Sequence, residues 1–535
     1  MKSLMILLVI VSSAHAQWQL NGIAVLDTSI QGAGTAIPHI APDGEGGAYV
    51  CWADRRANNY DIYAQRVDSA GNILWQRNGI PVVVAPRRQA PMKIINDGFG
   101  NAIIAWEDDR GSDTYVYAQK IDKLGQLLWQ TNGVKVAEVP GLYVRVVATG
   151  DGGAAIAWNL VDGVNDDVVV QRLNSFGSRM RGDSGVRVTN RSPAVYQGDV
   201  WITTDGQRGA IVSWGEGYRV YAQRVDSSGV VRWQTNGVLL SDTISPNISV
   251  ACATDGHGGA IVNWAVDTDR GNGFAQRVDS NGTVRWTLGG ILLGSSGGGG
   301  GQRNTGDDAG GAIVGHGLFI QHVNRRGTKL WQSSGVPYTT LPSIESTQAR
   351  TGEGGVMNFC KSFVENQGLF LFRQWIDRTG IARWGTNGIR LLSFNSTQRF
   401  AQATEDGRGN CLVTWEDYRR GYFGVFVAKV DTNGIVTSVG EPRNTMLPRV
   451  PNLDQNYPNP FNGNTIIRYY LPMESFVTIK VSDILGREVQ SLLHERQTQG
   501  EHSISFDGKN LPSAVYFYRL ITQQATVTKK MLLLR

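Results

Sequence analysis

Residues Pro91 to Val136, PMKIINDGFGNAIIAWEDDRGSDTYVYAQKIDKLGQLLWQTNGVKV, decide the fold. Four strand-like runs follow one another here. Met92–Asn96 is short and apolar, and Asn101–Trp106 is apolar after an Asp-Gly-x-Gly turn. Tyr115–Ile121 alternates and is rich in Tyr and Val, and Leu127–Val136 carries a Trp followed by Asn-Gly. Gly and Asn at the joints tolerate the positive φ of tight turns, and no run holds a 3.6-residue period.

The same pattern recurs on both sides. An Asp or Asn column runs through Asp68, Asp122, Asn174, Asp226, Asp279, Asn324, Asp377 and Asp431, each followed three residues later by Gly. Neighbours lie about 52 to 54 residues apart, with one shorter step of about 45 into Asn324. A four-stranded unit of about 50 residues cannot bury both faces alone, and stacking the units around an axis does so while leaving few open edges. Residues 17–440 are therefore expected to be all-β, an eight-bladed β-propeller. The chain enters with a fourth-strand pattern, Trp18 to Val25, and the last copy ends at Gly434-Ile435-Val436-Thr437 without Trp or Asn-Gly. The N-terminal strand is thus predicted to complete the last blade.

Composition narrows the function classes. The formal charge is +5 and Lys and Arg are interleaved with acids, which gives no footprint for nucleic acid. Lys2, the apolar run Leu4–Val11 and Ser12-Ser13-Ala14-His15-Ala16 form a secretory signal peptide, residues 1–16, cut before Gln17. No later segment is apolar for long enough to be a transmembrane helix. Cys51, Cys252, Cys360 and Cys411 fall at four different positions of the repeat, which reads as buried filler rather than a disulfide framework.

The character changes after a Pro-containing linker, residues 441–452. Asn456-Tyr457-Pro458-Asn459-Pro460-Phe461, Gly486 within Val481–Val489, Val515–Leu520 and Lys529-Lys530 occur in order. Residues 453–535 resemble the type A C-terminal sorting domain of type IX secretion cargo. The resemblance implies passage through the periplasm to the cell surface or medium, with the type IX machinery as partner and surface lipopolysaccharide as an attachment point. Read from the residues alone, the tail is a small antiparallel, Ig-like β-sandwich with Tyr457, Phe461, Tyr469, Ile479 and Phe517 in its core.

Chemistry is sparse. Charged residues follow the second-strand Trp: Asp54 and Arg55, Asp108 and Arg110, Asp267, Asp269 and Arg270, and Asp417 and Arg419. Beside indoles they could hold a sugar, but repetition in successive copies favours Asp–Arg pairs that fix a loop. A Gln column, Gln65 to Gln374, is expected to satisfy backbone between blades, and the fourth-strand Trp residues to pack blades. His316 and Cys360 replace the second-strand Trp in copies six and seven. No catalytic motif, metal site or cofactor is legible. The expectation is a non-catalytic binding scaffold for a glycan or protein, and the alternative is a glycan-active hydrolase with acids converging at the axial mouth.

Overall fold

The computed structural model describes residues 18–534 except 20, 27–34, 162–166, 190–199, 242–247, 267–270, 296–302, 308, 366, 395, 435–450, 454–455, 457–458, 472–473, 499 and 524. The expected signal peptide, the expected linker up to residue 450, and Ile435 to Thr437 lie outside them. The chain divides into two compact units, Met1–Gly440 and Glu441–Arg535. Among the described residues all regular elements are β-strands in antiparallel sheets, and no helix is long and apolar enough to cross a membrane.

In the first unit, copy one is the sheet Thr35–Pro42, Ala48–Asp54, Asp61–Val67 and Ile80–Val83, paired in chain order. Copies four to seven repeat this arrangement. The second strands of six copies are buried along their whole length, as in Ala102–Asp108, which explains their unbroken apolar character; those of copies five and seven are partly exposed toward their ends. Copies two and three depart from the expected separation, because the 15-residue strand Val134–Ala148 belongs to both. Its start pairs with Tyr115–Ile121 and its later part with Ala154–Leu160, giving one seven-stranded sheet. The link between these copies is so short that the chain crosses without leaving extended backbone. The fourth run is also interrupted: Leu127 bridges Ile121, and a turn closed by Gly133 N–H to the Gln130 carbonyl precedes the strand.

The core lies between sheets. Separate apolar clusters join copies one and two, two and three, three and four, and onward to six and seven. A further cluster joins Trp18, Val25 and Leu26 to Val50 and Trp52 of copy one, Phe359 of copy seven and Trp415 of copy eight. First strands contact one another in succession, and Gln398–Glu405 of copy eight contacts Thr35–Pro42 of copy one.

The N-terminal strand Ile23–Leu26 pairs antiparallel with Gly424–Val430, Ile23 opposite Val427, and supplies the fourth strand of the last sheet. It does so by the same contacts as an ordinary fourth strand. A Cβ on Gly79 would stand 2.6 Å from the Trp52 ring, and one on Gly22 would stand 2.4 Å from the Trp415 ring, both at positive φ. The Trp75 indole N–H donates to the Lys123 carbonyl of the next copy at 3.1 Å, and Trp18 donates to Ser69 of copy one at 2.9 Å.

A column of buried ion pairs, unread in the sequence, backs the first turn of the repeat. Arg66–Asp43 (2.9 Å), Lys120–Asp97 (2.7 Å), Arg224–Asp205 (3.0 Å), Arg277–Asp255 (2.6 Å) and Lys429–Asp406 (2.6 Å) occupy equivalent places, and His322–Asp307 (2.9 Å) stands in copy six. The Gln column works within a sheet rather than between sheets. Gln65 donates to the Gln76 carbonyl and accepts from the backbone N–H of Arg66 and Trp75. Copy eight has Ala428 at that position.

In the second unit, Asn452–Leu453, Asn464–Leu471 and Gly500–Asp507 form one sheet. Glu488–Gln497, Ser475–Ser482, Ala514–Ile521 and Thr526–Leu533 form the other. One core unites them, including Phe461, Tyr469, Ile479 and Phe506. Phe517 is a correction: it is only half-buried, while Tyr516 and Tyr518 point into the core. A one-residue change of phase on a strand exchanges its two faces. Tyr457 lies outside the described residues.

Candidate functional site

The loops after the second strands are cross-tied. Asp54 is buried; the Trp52 indole donates to its Oδ2 at 2.9 Å and Arg56 grips both oxygens, Nε to Oδ1 at 2.9 Å and Nη2 to Oδ2 at 2.6 Å. Arg56 Nη2 also donates to the Asn78 carbonyl at 3.0 Å, and its guanidinium lies 3.7 Å over the Tyr63 ring. Asp108 repeats this with Trp106 at 2.7 Å, Arg110 at 2.8 and 2.6 Å, and the Asn132 carbonyl at 2.9 Å. Asp417 does so with Trp415 at 3.1 Å and Arg419 at 2.8 Å, and Arg419 reaches the Asn21 carbonyl of the N-terminal strand at 2.8 Å. Each carboxylate thus accepts from an indole and an arginine, and each arginine holds the Asn-Gly turn of its own sheet.

Arg55 takes no part in this; its partner role belongs to Arg56. The spacing carried the signal, since Arg110 and Arg419 stand four residues after their Trp, as Arg56 does. Arg55 instead lies 5.5 Å over Tyr60 and lines an open cleft of about 570 Å³ with Arg87, Arg88, Asp109 and Asp113. Asp267, Asp269 and Arg270 lie outside the described residues. Trp158, whose second neighbour downstream is Leu160, has no acceptor for its indole N–H among the described residues.

His316 takes over the stacking of the Trp it replaces. Its ring lies 6.0 Å from that of Phe319, as Trp106 lies 6.2 Å from Tyr117 and Trp264 lies 6.0 Å from Phe274. Burial, with Lys329 adding to it, lowers its pKa to about 4, so it is a neutral ring. Cys360 and the other three cysteines are buried free thiols. Among the described residues no group of three or more His, Cys, Asp or Glu is placed to hold a metal ion.

The first strands carry a second charged group that sequence reasoning missed. Four residues before the first-turn Asp or Thr stand His39, Lys93, Arg145, Trp201, Ala251, Arg303, Thr347 and Gln402. Lys93 Nζ is 3.2 Å from His39 Nε2, and the Arg145 guanidinium lies 5.0 Å from the Trp201 ring. Burial lowers the Lys93 pKa to about 7, with the charges of Arg145 and Arg303 adding to it. Burial, then Lys93, Arg145 and Arg303, hold His39 well below its usual value. Residues from copies one, two, three and six therefore share one electrostatic neighbourhood. Only alignment of the copies column by column would have exposed it.

In the second unit Asn456 is buried, its N–H donating to the Tyr518 hydroxyl at 2.7 Å and its side-chain amide to Thr465 at 2.9 Å. Asn459 accepts from Leu532 N–H at 2.8 Å, Pro460 follows it, and Phe461 is in the core. Gly486 has φ +80° in a turn closed onto Asp483; Lys529 is half-buried and Lys530 exposed on the last strand. Pro458, like Tyr457, lies outside the described residues.

A repeated all-β unit followed by a small two-sheet unit defines a modular protein whose tail is a separate fold. Residues 455–534 match the family described as the secretion system C-terminal sorting domain. The tail is thus a type IX sorting domain, which engages that secretion machinery and directs the chain to the cell surface or the medium. No curated protein matches the chain by sequence. Among solved structures it is similar to prolyl oligopeptidase B from Galerina marginata (10% identity, 71% of this chain and 55% of that chain, TM-score 0.40). It thus spans about half the length of that protein. It is also similar to PorZ, a surface component of the type-IX secretion system of Porphyromonas gingivalis (11% identity, 92% and 73%, TM-score 0.29). A third likeness is the α-L-arabinanase of Penicillium chrysogenum (10% identity, 57% and 93%, TM-score 0.32).

Proposed function

We propose that, after removal of residues 1–16, residues 17–440 form an eight-bladed β-propeller closed by the N-terminal strand. Residues 441–452 link it to an Ig-like sandwich, residues 453–535, and the exported protein is a non-catalytic binding scaffold. The succession of inter-sheet cores and the pairing of Ile23–Leu26 with the last sheet support the closed ring. The observation that carries the binding reading is the state of the acids. Asp54, Asp108 and Asp417 are locked to indoles and arginines, and the inner-strand column holds cations where a hydrolase needs facing carboxylates. The ligand face then comprises the open cleft around Arg55 and the second-strand loops, with a glycan, lipopolysaccharide or a protein as partner.

Two measurements test this. Deleting residues 453–535 should leave folded protein in the periplasm, and surface display of the shortened chain would refute the tail's role. Incubation of the mature protein with a polysaccharide panel should give retention without new reducing or unsaturated ends. Chain cleavage would overturn the scaffold reading.

A further inference from the structure

We propose that Asn59, Asp61 and the main-chain carbonyls of Ala85 and Arg87, all in copy one, form a calcium-binding site at the edge of the open cleft beside Tyr60. The inference goes beyond the scaffold reading and does not depend on it.

The case begins with an uncompensated charge. Asp61 is fully buried, and its Oδ2 has no hydrogen-bond partner among the described residues. Every other buried aspartate among those residues pairs with an Arg or a Lys. Copy three supplies the direct comparison. Asp167 stands two residues before Val169, the partner of Trp158, as Asp61 stands two residues before Tyr63, the partner of Trp52. Asp167 accepts from Arg187 at 3.0 Å and from Thr189 at 2.9 Å. At the same place in copy one no cation of the chain answers the carboxylate, and a buried charge without a counter-charge is costly.

What surrounds Asp61 instead is oxygen. The side-chain nitrogen of Asn59 lies 2.6 Å from the Ala85 carbonyl, 2.6 Å from the Arg87 carbonyl and 3.1 Å from Asp61 Oδ1. An amide nitrogen carries two protons, so three acceptors exceed its capacity. It stands where a cation would stand, close to the distance of about 2.3–2.6 Å that calcium keeps from its oxygens. With the amide turned over, Asn59 Oδ1 joins both Asp61 oxygens and the two carbonyls as ligands. Water or a ligand hydroxyl from the cleft, which Asn59 and Arg87 line, completes the set of about six to eight.

The turn that holds the carbonyls is fixed from both sides. The Ala85 N–H donates to Asp61 Oδ1 at 3.0 Å, which ties the carboxylate to the same residue that offers a carbonyl. Arg87 has φ +65°, a conformation seldom taken by a residue with a side chain, and in it the Arg87 carbonyl meets Asn59. Its guanidinium is engaged elsewhere, on the carbonyls of Asp109 and Gly111 in copy two. Carbonyl, amide and carboxylate oxygens in a flexible loop suit calcium, whereas magnesium demands a tighter octahedron at about 2.0–2.1 Å. A single carboxylate makes the site weak, in the range of about 10⁻⁴–10⁻³ M found for extracellular modules, which fits a chain directed to the cell surface or the medium.

The test uses the mature full-length protein, stripped of metal with a chelator and titrated calorimetrically with calcium chloride at constant ionic strength and about pH 7.5. It should bind saturably with a Kd of about 10⁻⁴–10⁻³ M, and an equal concentration of magnesium should not displace the calcium. Asp61→Asn should weaken binding by about tenfold or more. The metal-free Asp61→Asn protein should also melt at or above the wild-type temperature, because the unpaired charge is gone, whereas loss of a merely structural carboxylate would lower it. Asn59→Asp places a second carboxylate among the ligands and should tighten binding by about tenfold while lowering the metal-free melting temperature. Asp167→Asn, at the paired position of copy three, should leave calcium affinity unchanged. No saturable binding below about 10 mM calcium, displacement by equal magnesium, undiminished binding or a lowered metal-free melting temperature for Asp61→Asn, or no gain for Asn59→Asp would overturn the proposal.

Discussion

Lys429, on the third strand of copy eight, donates to the carbonyl of Gly46 in copy one at 2.9 Å while pairing with the buried Asp406 at 2.6 Å. A residue near the end of the repeat thereby ties its own sheet and, in the same ammonium group, the sheet with which the repeat begins. Lys120 makes the equivalent contact from copy two to Gly152 of copy three at 2.8 Å.

Lys429→Met should therefore cost about 3–5 kcal/mol, the range for leaving a buried charge without its partner. Asp406→Asn combined with Lys429→Met should recover most of that loss. Urea unfolding of the three variants checks this, and a double variant no better than Lys429→Met would contradict it.

The indole bonds allow an internal control. Trp106→Phe removes the donor to the buried Asp108 carboxylate, whereas Trp158→Phe removes an N–H with no acceptor among the described residues. Trp106→Phe should be the more damaging by about 1.5–3 kcal/mol, the value of a hydrogen bond to a charged group. Equal shifts in the urea midpoint at constant slope would rule out this role for the carboxylate.

Acid should loosen the repeat unit at a predictable pH. Burial alone would raise the pKa of Asp226 and Asp377, but hydrogen bonds outweigh it and hold both at about 2. For Asp226 they come from Ser228, Val230 and Arg232, and for Asp377 from Thr379, Ile381 and Arg383. A folded-state pKa below the unfolded value of about 3.9 means that the stabilisation is complete above that value and lost as pH falls toward about 2. Asp377→Asn should be less stable than wild type at neutral pH and lose less on acidification between about pH 4 and pH 2. Parallel pH profiles for the two proteins would count against it.

The sorting domain should fail through its core. Phe461→Ala empties a fully packed aromatic site beside Phe506 and should cost about 3–5 kcal/mol. The variant's tail should become susceptible to limited proteolysis, and the amount of protein on the cell surface should fall. Lys530→Ala, at an exposed position, should leave the proteolysis pattern unchanged.

Much of this architecture was legible because it is local and repeated. Every copy must solve the same turn, so Gly71 and its equivalents recur with positive φ after Asp or Asn side chains that accept the turn's N–H groups, as Asp68 does from Ala70 and Asn72. The pattern Trp18 to Gly22 announced a fourth strand because it repeats the side chains that Trp75 to Gly79 use against their own sheet. The sorting motifs were readable because each is a short contiguous run, although their contacts reach across the fold, as Asn456 does to Tyr518 and Asn459 to Leu532.

What the sequence determined by itself was thus the four-stranded repeat, its strand-completing N-terminus and the secretion tail, because turns, alternation and periodicity are properties of adjacent residues. Tertiary structure alone decided that Arg56 and not Arg55 holds Asp54, that Tyr516 and Tyr518 rather than Phe517 face the core, and that Val134–Ala148 serves two copies. It also brought Arg303 within electrostatic reach of His39 and Lys93. These depend on which side chains the packed sheets press together, and distance along the chain carries no record of that.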